Sequence, residues 1–236
     1  MNLLLLTPGE VRGDGTALLT GRRHEHARAV LRVQAGETLR VGVRGGRRGT
    51  GKVLSEDAGG LLLRVTLDAE PPPRAGVSLV LAMPRPKALR RVIPAVASLG
   101  VDRVVLVNAA RVEKSYFDSK VLDPAYLGGL VDLGLEQSRD TLPPCIEIRE
   151  RFRPFVEDEL GRWAGDSVRL VPHPPARLAV PRVAPDRPVT LAIGPDGGWV
   201  PFEVELLERA GFAPVSLGAR VLRVEVAVSY TLGRIR

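Results

Sequence analysis

The sequence predicts an α/β protein in which a small β-barrel or sandwich precedes a larger domain built on a parallel sheet. Three observations carry this expectation. Between Val189 and Glu225 one move occurs twice, an apolar run that ends in a glycine-rich loop and is followed by a helical stretch. Residues 77–107 read as apolar run, helix, apolar run, which is the β-α-β unit of a parallel sheet. Residues 1 to about 70 hold only short β-type runs between glycine turns, as a small barrel or sandwich would.

In that first part the expected strands are 38–43, 51–54 and 61–67, separated by Arg44-Gly45-Gly46 and by Asp57-Ala58-Gly59-Gly60. A helix is expected over 23–33, and His26 within it is read as structural. Arg22, Arg23, Arg28, Arg32, Arg40, Arg44, Arg47, Arg48 and Lys52 stand there with few acids between them. Arginine forks match phosphate geometry, so this part suits RNA docking through phosphate contacts, with Arg28 and Arg32 as candidates, or is simply a solvated basic face. No aromatic residues interleave with the cations, which argues against stacking on splayed bases.

Glu70-Pro71-Pro72-Pro73-Arg74 is a stiff boundary, because successive prolines fix φ and remove donors. The expected domains are therefore 1–72 and 73–236. After the boundary come a buried strand over 77–83 and an amphipathic helix over 86–99 with Lys87, Arg90 and Arg91 near its start. Gly100 ends that helix and a strand over 102–107 follows. The polar loop 108–118 carries Arg111 and Lys114. A helix over 124–138 ends in Glu136-Gln137-Ser138, and a short helix is expected over 152–161. A strand over 168–171 delivers Pro172-His173-Pro174, where the imidazole can meet a ligand or the prolines can simply make a rigid turn. A proline-rich crossover, 174–188, leads to the strand 189–193, the helix 201–210, a strand over 214–217 and a last helix over 221–235. Val221, Val224, Val228 and Leu232 form an apolar face on that helix, suited to a dimer interface or to the core.

Strands that end in glycine loops place backbone side by side at the carboxyl edge of a parallel sheet, where open α/β proteins bind ligands. The first loop is Ile193-Gly194-Pro195-Asp196-Gly197-Gly198 and the second begins at Leu217-Gly218. Neither a dinucleotide fingerprint nor a P-loop lysine is present, and Asp196 would repel a phosphate. A carboxylate among bare backbone groups suits a ribose, an adenine edge or a cation, all of which S-adenosylmethionine combines; a tight turn with Asp196 as a helix cap is the plain alternative.

Composition excludes other classes. The net charge of +7 and isoelectric point near 10.3 favour a polyanionic partner, nucleic acid first. One cysteine, Cys145, forms no internal disulfide, and His24, His26 and His173 make no spaced metal set, so no metal is expected. The start MNLLLLTPGE lacks the form of a signal peptide and no run is long enough to span a bilayer, so a cytoplasmic protein is expected.

The motif IGPDGG followed by LGARVLRVEVA resembles the paired motifs of the RsmE family, bacterial methyltransferases that act on uridine N3 of 16S ribosomal RNA. The family belongs to the SPOUT superfamily, and the resemblance implies a trefoil-knotted parallel sheet with S-adenosylmethionine bound in the knot loops. It also implies an N-terminal PUA-like β-barrel, whose family element His26-Ala27-Arg28-Ala29-Val30-Leu31-Arg32 matches, and a homodimer. The carried-over cofactor residues are Ile193, Gly194, Pro195, Asp196, Gly197, Gly198, Leu217, Gly218 and Leu222, with Pro172 and His173 from a loop where the family often has a His-Pro pair. Arg111 and Lys114 lie in a loop that faces RNA in the family. The family's E-Q-S-G-R is here Glu136-Gln137-Ser138-Arg139-Asp140, so the RNA-facing arginine falls at Arg139 or is lost; the family threonine after Glu225 is Val226. The resemblance leaves room for a related RNA methyltransferase acting on another base or a ribose 2′-oxygen, or for a non-catalytic RNA-binding relative.

Methyl transfer to uracil N3 requires the imide proton to leave, and the charge then spreads onto two carbonyl oxygens that a positioned cation would stabilise. Arg220 and Arg223, three apart at the expected start of the last helix, would share a face and serve as that cation. Glu225 would orient the chain or accept a proton.

Overall fold

A computed structural model describes residues 2–236. The chain divides into two compact units, Met1–Pro73 with Asp132–Pro143, and Arg74–Val131 with Pro144–Arg236.

The first unit is built on a five-stranded sheet of order β1-β3-β4-β5-β2, from β1 (Leu4–Leu6), β2 (Thr16–Leu19), β3 (Thr38–Val43), β4 (Arg48–Asp57) and β5 (Gly60–Ala69). β1 pairs parallel with β3, and the other pairings are antiparallel. Leu4, Leu6, Ala17, Leu19, Val41, Val53, Leu61 and Leu63 form its core. Two of these strands, β1 and β2, were not expected from the sequence, and β4 and β5 run longer than their apolar stretches. The expected helix at 23–33 is a single turn and a half, α1 (Gly21–His26), continued by a wider π-type turn, Ala27–Leu31, which ends at Arg32 in the left-handed region.

The second unit is an α/β fold on a six-stranded parallel sheet, order β11-β9-β10-β6-β7-β8. Its strands are β6 (Val77–Ala82), β7 (Arg103–Val107), β8 (Cys145–Arg149), β9 (Val168–Pro172), β10 (Val189–Ile193) and β11 (Ala213–Val215). The helices are α2 (Pro86–Ser98), α3 (Pro124–Ser138), α4 (Phe152–Pro154), α5 (Leu160–Ala164), α6 (Pro201–Arg209) and α7 (Val224–Ile235). β10 is buried along its whole length, as expected for a strand covered on both faces. The last residues of α3 group with the first unit. No helix among the described residues is long and apolar enough to cross a membrane.

Three expectations need correction. β8 was not anticipated. β11 stops at Val215, so Ser216 and Leu217 belong to the following loop rather than to a strand. The last helix starts at Val224, and Arg223 is its extended N-cap (φ −66°, ψ 154°) with no side-chain capping bond. Val221 therefore precedes the helix and is 85% exposed, whereas Val224, Val228 and Leu232 are buried within this chain, where α7 packs on α2 and β10. The apolar face is core, not a free surface.

Candidate active site

Three loops leave the carboxyl edge of the second sheet and enclose a cavity of about 370 Å³. The loop after β9 brings Pro172, His173 and Pro174; the loop after β10 brings Gly194 to Trp199; the loop after β11 brings Leu217 to Leu222. Every residue assigned to the cofactor from the sequence lines this cavity: Ile193, Gly194, Pro195, Asp196, Gly197, Gly198, Leu217, Gly218, Leu222, Pro172 and His173. The glycine loops are not on adjacent strands, however, because β9 lies between β10 and β11 and sets the His173 loop between them. A repeated motif reveals strand ends but not strand order.

The glycines serve two purposes. At Gly194 a Cβ would lie 3.1 Å from the backbone nitrogen of Trp199, so a larger residue there would press on Trp199. Gly198 (φ +72°) and Gly218 (φ +104°) hold left-handed backbone, and no atom lies within 4 Å of where their Cβ would stand. Bare backbone thus borders the cavity on both sides. Burial pushes the His173 imidazole below its ordinary pKa, with Glu208 opposing the shift, so His173 presents a neutral ring to a ligand at neutral pH.

The first glycine loop is braced from outside. The Gly198 N–H closes a turn on the Pro195 carbonyl (2.7 Å), and the Arg111 guanidinium donates to the Gly197 carbonyl. Trp199 is buried against Phe152, ring centroids 5.1 Å apart. Glu203, at the third position of α6, accepts from the Val200 N–H at 3.0 Å and from the Ala110 N–H at 2.7 Å. Arg111, which the family resemblance places on the RNA side, is exposed, and its guanidinium also holds the first glycine loop. Glu203 was missed, although Pro201 at the first helical position with an acid two residues later is a recognisable helix start.

The Arg220, Arg223 and Glu225 set is divided. Arg220 lies in the loop and lines the first cavity. Arg223 and Glu225 line an adjoining cavity of about 450 Å³ with Arg85, Lys87 and Arg91, and the two cavities share Asp196, Val221 and Leu222 as walls. Since α7 begins after both arginines, they do not share a helix face as their spacing suggested. Glu225 faces Arg91 (3.4 Å) and Asp196 faces Arg85 (3.3 Å). Arg223 is exposed, and among the described residues no carboxylate pairs with it. It is a cation kept available.

The remaining RNA candidates lie elsewhere. Lys114 begins a short 3-10 turn, Lys114–Tyr116, and lines a separate cavity with Asn108, Phe152 and Phe202. Arg28 is exposed and 3.8 Å from Glu56, and Arg32 is exposed with φ 53°. Arg139 ends α3 in the left-handed region (φ 61°), the position where helices prefer glycine, and its carbonyl accepts from Arg48 at 3.1 Å. Asp140 is buried, with one carboxylate oxygen accepting from the N–H groups of Thr141 (2.6 Å) and Leu142 (3.0 Å). That acid is a turn-former.

The family model described as an RNA methyltransferase domain matches residues 70–236. The chain belongs to this RNA methyltransferase family. It is 32% identical over 234 residues to the ribosomal RNA small subunit methyltransferase E of Treponema pallidum, covering 96% of this chain and 87% of that protein. The protein of the same name in Mycobacterium bovis is 29% identical, with 93% and 85% covered. Among solved structures, the small subunit methyltransferase E of Neisseria gonorrhoeae, bound to S-adenosyl methionine, superposes with a TM-score of 0.76 at 21% identity, covering 98% of this chain and 95% of that one. A Legionella pneumophila protein solved with the cofactor SAM gives 0.75 at 23% identity, with the same coverage. The family's fold is thus present along nearly the whole chain.

Proposed function

We propose that this chain methylates N3 of a specific uridine in 16S ribosomal RNA, with S-adenosylmethionine held in the cavity at the carboxyl edge of the parallel sheet. The observation that carries the proposal is that cavity itself: bare glycine backbone on two sides, one carboxylate and a neutral imidazole, with the unpaired Arg223 in the adjoining cavity. Its volume of about 370 Å³ lies in the range of small-molecule sites, and its walls carry no phosphate-binding lysine.

When bound, the cofactor supplies an electrophilic methyl group. Asp196 and the backbone of the glycine loops hold its ribose and adenine edge, and the neutral His173 adds no charge to repel a sulfonium. Arg223, helped by Arg220 across Val221, stabilises the negative charge that the uracil carbonyl oxygens gain as the imide proton passes to solvent water, before N3 takes the methyl group. The amino-terminal dipole of α7 adds to that field. Glu225, turned toward Arg91, is a positioning residue.

The same proposal extends to a PUA-like barrel in the first unit, a trefoil knot in the second, a homodimer and action in the cytoplasm on the small ribosomal subunit. Arg28, Arg32, Lys114 and Arg139 are the RNA-facing cations in this scheme. The buried state of Val224, Val228 and Leu232 removes one argument for the dimer, which rests on family likeness alone. Mass spectrometry of ribosomal RNA from cells with and without the protein tests the reaction: one N3-methyluridine must appear and disappear with it. A missing methyl on another base or on a ribose would assign a different target, and no change would leave only RNA binding.

A further inference from the structure

The cavity beside the cofactor site has more positive charge than the methylation chemistry needs. Arg85, Lys87, Arg91 and Arg223 surround it, against two carboxylates, Asp196 and Glu225. Each carboxylate is already engaged, Asp196 with Arg85 and Glu225 with Arg91, and among the described residues no acid pairs with Lys87 or Arg223. α2 opens at this cleft with Pro86 at its first position and no side chain capping it, so the positive end of its dipole adds to the same field.

We propose that this cleft seats one backbone phosphate of the RNA, at the linkage next to the target nucleotide. The proposal rests on the RNA methyltransferase reading above and adds to it where the strand lies. An anion is favoured by the unpaired Lys87 in a cleft where cations outnumber carboxylates, and a phosphodiester is favoured over a lone ion by the cleft's size, about 450 Å³, and by the walls it shares with the cofactor cavity. Val221, 85% exposed, stands between the two cavities. A base turned into one side therefore leaves its own phosphate on the other. Lys87 carries the interaction as a point charge on a flexible stem, while Arg223 remains directed at the base. The other source of an anion is the carboxylate of the cofactor's methionine moiety, and the experiment separates the two.

The test uses the full chain and a fluorescein-labelled RNA hairpin containing the target uridine, together with copies in which single linkages near it are neutral methylphosphonates. Anisotropy titrations at several salt concentrations should find one linkage whose neutralisation weakens the wild-type protein roughly tenfold and costs Lys87→Gln nothing further. The Lys87→Gln protein should also show a salt slope shallower by about 0.7, as removal of one cation from a single-strand phosphate requires. Its melting temperature and its calorimetric affinity for S-adenosylmethionine should match wild type. A Lys87→Gln protein with unchanged slope and the same sensitivity to every linkage overturns the phosphate site, and so does one whose main loss is cofactor affinity. If wild type binds the cofactor but not the RNA, the functional reading fails, and this site with it.

Discussion

The Arg111 guanidinium donates to the carbonyl oxygen of Gly197, so a residue from the loop after β7 fixes the turn that borders the cavity proposed for the cofactor. Glu203 ties the same two segments together by accepting from the Ala110 and Val200 N–H groups. The glycine loop is therefore shaped before any ligand arrives, which lowers the ordering cost of binding.

Replacing Arg111 by alanine leaves the Gly197 carbonyl without its charged donor and frees the turn. S-adenosylmethionine affinity should fall about tenfold, corresponding to about 1.4 kcal/mol, with the salt dependence of RNA binding unchanged. Calorimetry with each ligand decides. An altered salt slope with intact cofactor affinity would return Arg111 to the RNA side.

Glu203→Gln keeps the shape but turns an amide N–H₂ toward one of two backbone donors. A buried donor left without an acceptor costs about 2 kcal/mol, so the denaturant midpoint should drop while the slope of the unfolding curve is kept.

Arg223→Ala should reduce the methylation rate by ~10² while cofactor affinity and melting temperature stay near wild type, because the side chain is exposed and no carboxylate among the described residues pairs with it. An unstable or fully active variant would remove Arg223 from the chemistry.

Burial by itself raises the Glu147 pKa, but donors from Trp163 (2.9 Å) and Arg103 (3.4 Å), together with the charge of Arg149, hold it below its ordinary 4.5. A carboxylate depressed in the folded state stabilises the fold fully above 4.5 and loses that contribution as pH falls through the lower folded value. Denaturation curves from about pH 6 to about pH 3 should therefore show a decline in stability that is shallower in Glu147→Gln.

Arg139 holds a left-handed φ of 61° at the end of α3. Arg139→Gly relieves that strain and should raise stability by up to about 1 kcal/mol. The same variant tests its RNA role, since taking a cation away from a phosphate would flatten the salt slope.

The loops of the site were legible because their strands are continuous apolar runs: Val189–Ile193 is buried on both faces and ends abruptly in glycine. Three of the four edge strands were not legible. β8 reads Cys145-Ile146-Glu147-Ile148-Arg149, alternating and half-exposed, and β1 and β2 have only three and four residues. The start of α7 was misplaced because Val221 and Leu222 continue its apolar pattern and no Ser, Thr, Asp or Asn marks the cap. The Arg220 and Arg223 geometry, inferred from helical spacing, failed with it. The Arg85, Lys87, Arg91 and Arg223 cleft could not be read at all, since α2 and α7 are far apart in sequence and meet only through tertiary packing.

The pairing of β10 with β6 has a consequence for the birth of the protein. Val189 must find Val77 across most of the second unit's length, and the residues that line the cavity proposed for the cofactor all come from 172 or later. A chain emerging from the ribosome has the cavity proposed for the cofactor only after residues 172–227 have been made. Long-range parallel pairing of this kind forms slowly, because the loop must close before any native interaction rewards it. The cavity proposed for the cofactor thus waits on the meeting of β6 with β10, and a fragment that stops short of β10 lacks it.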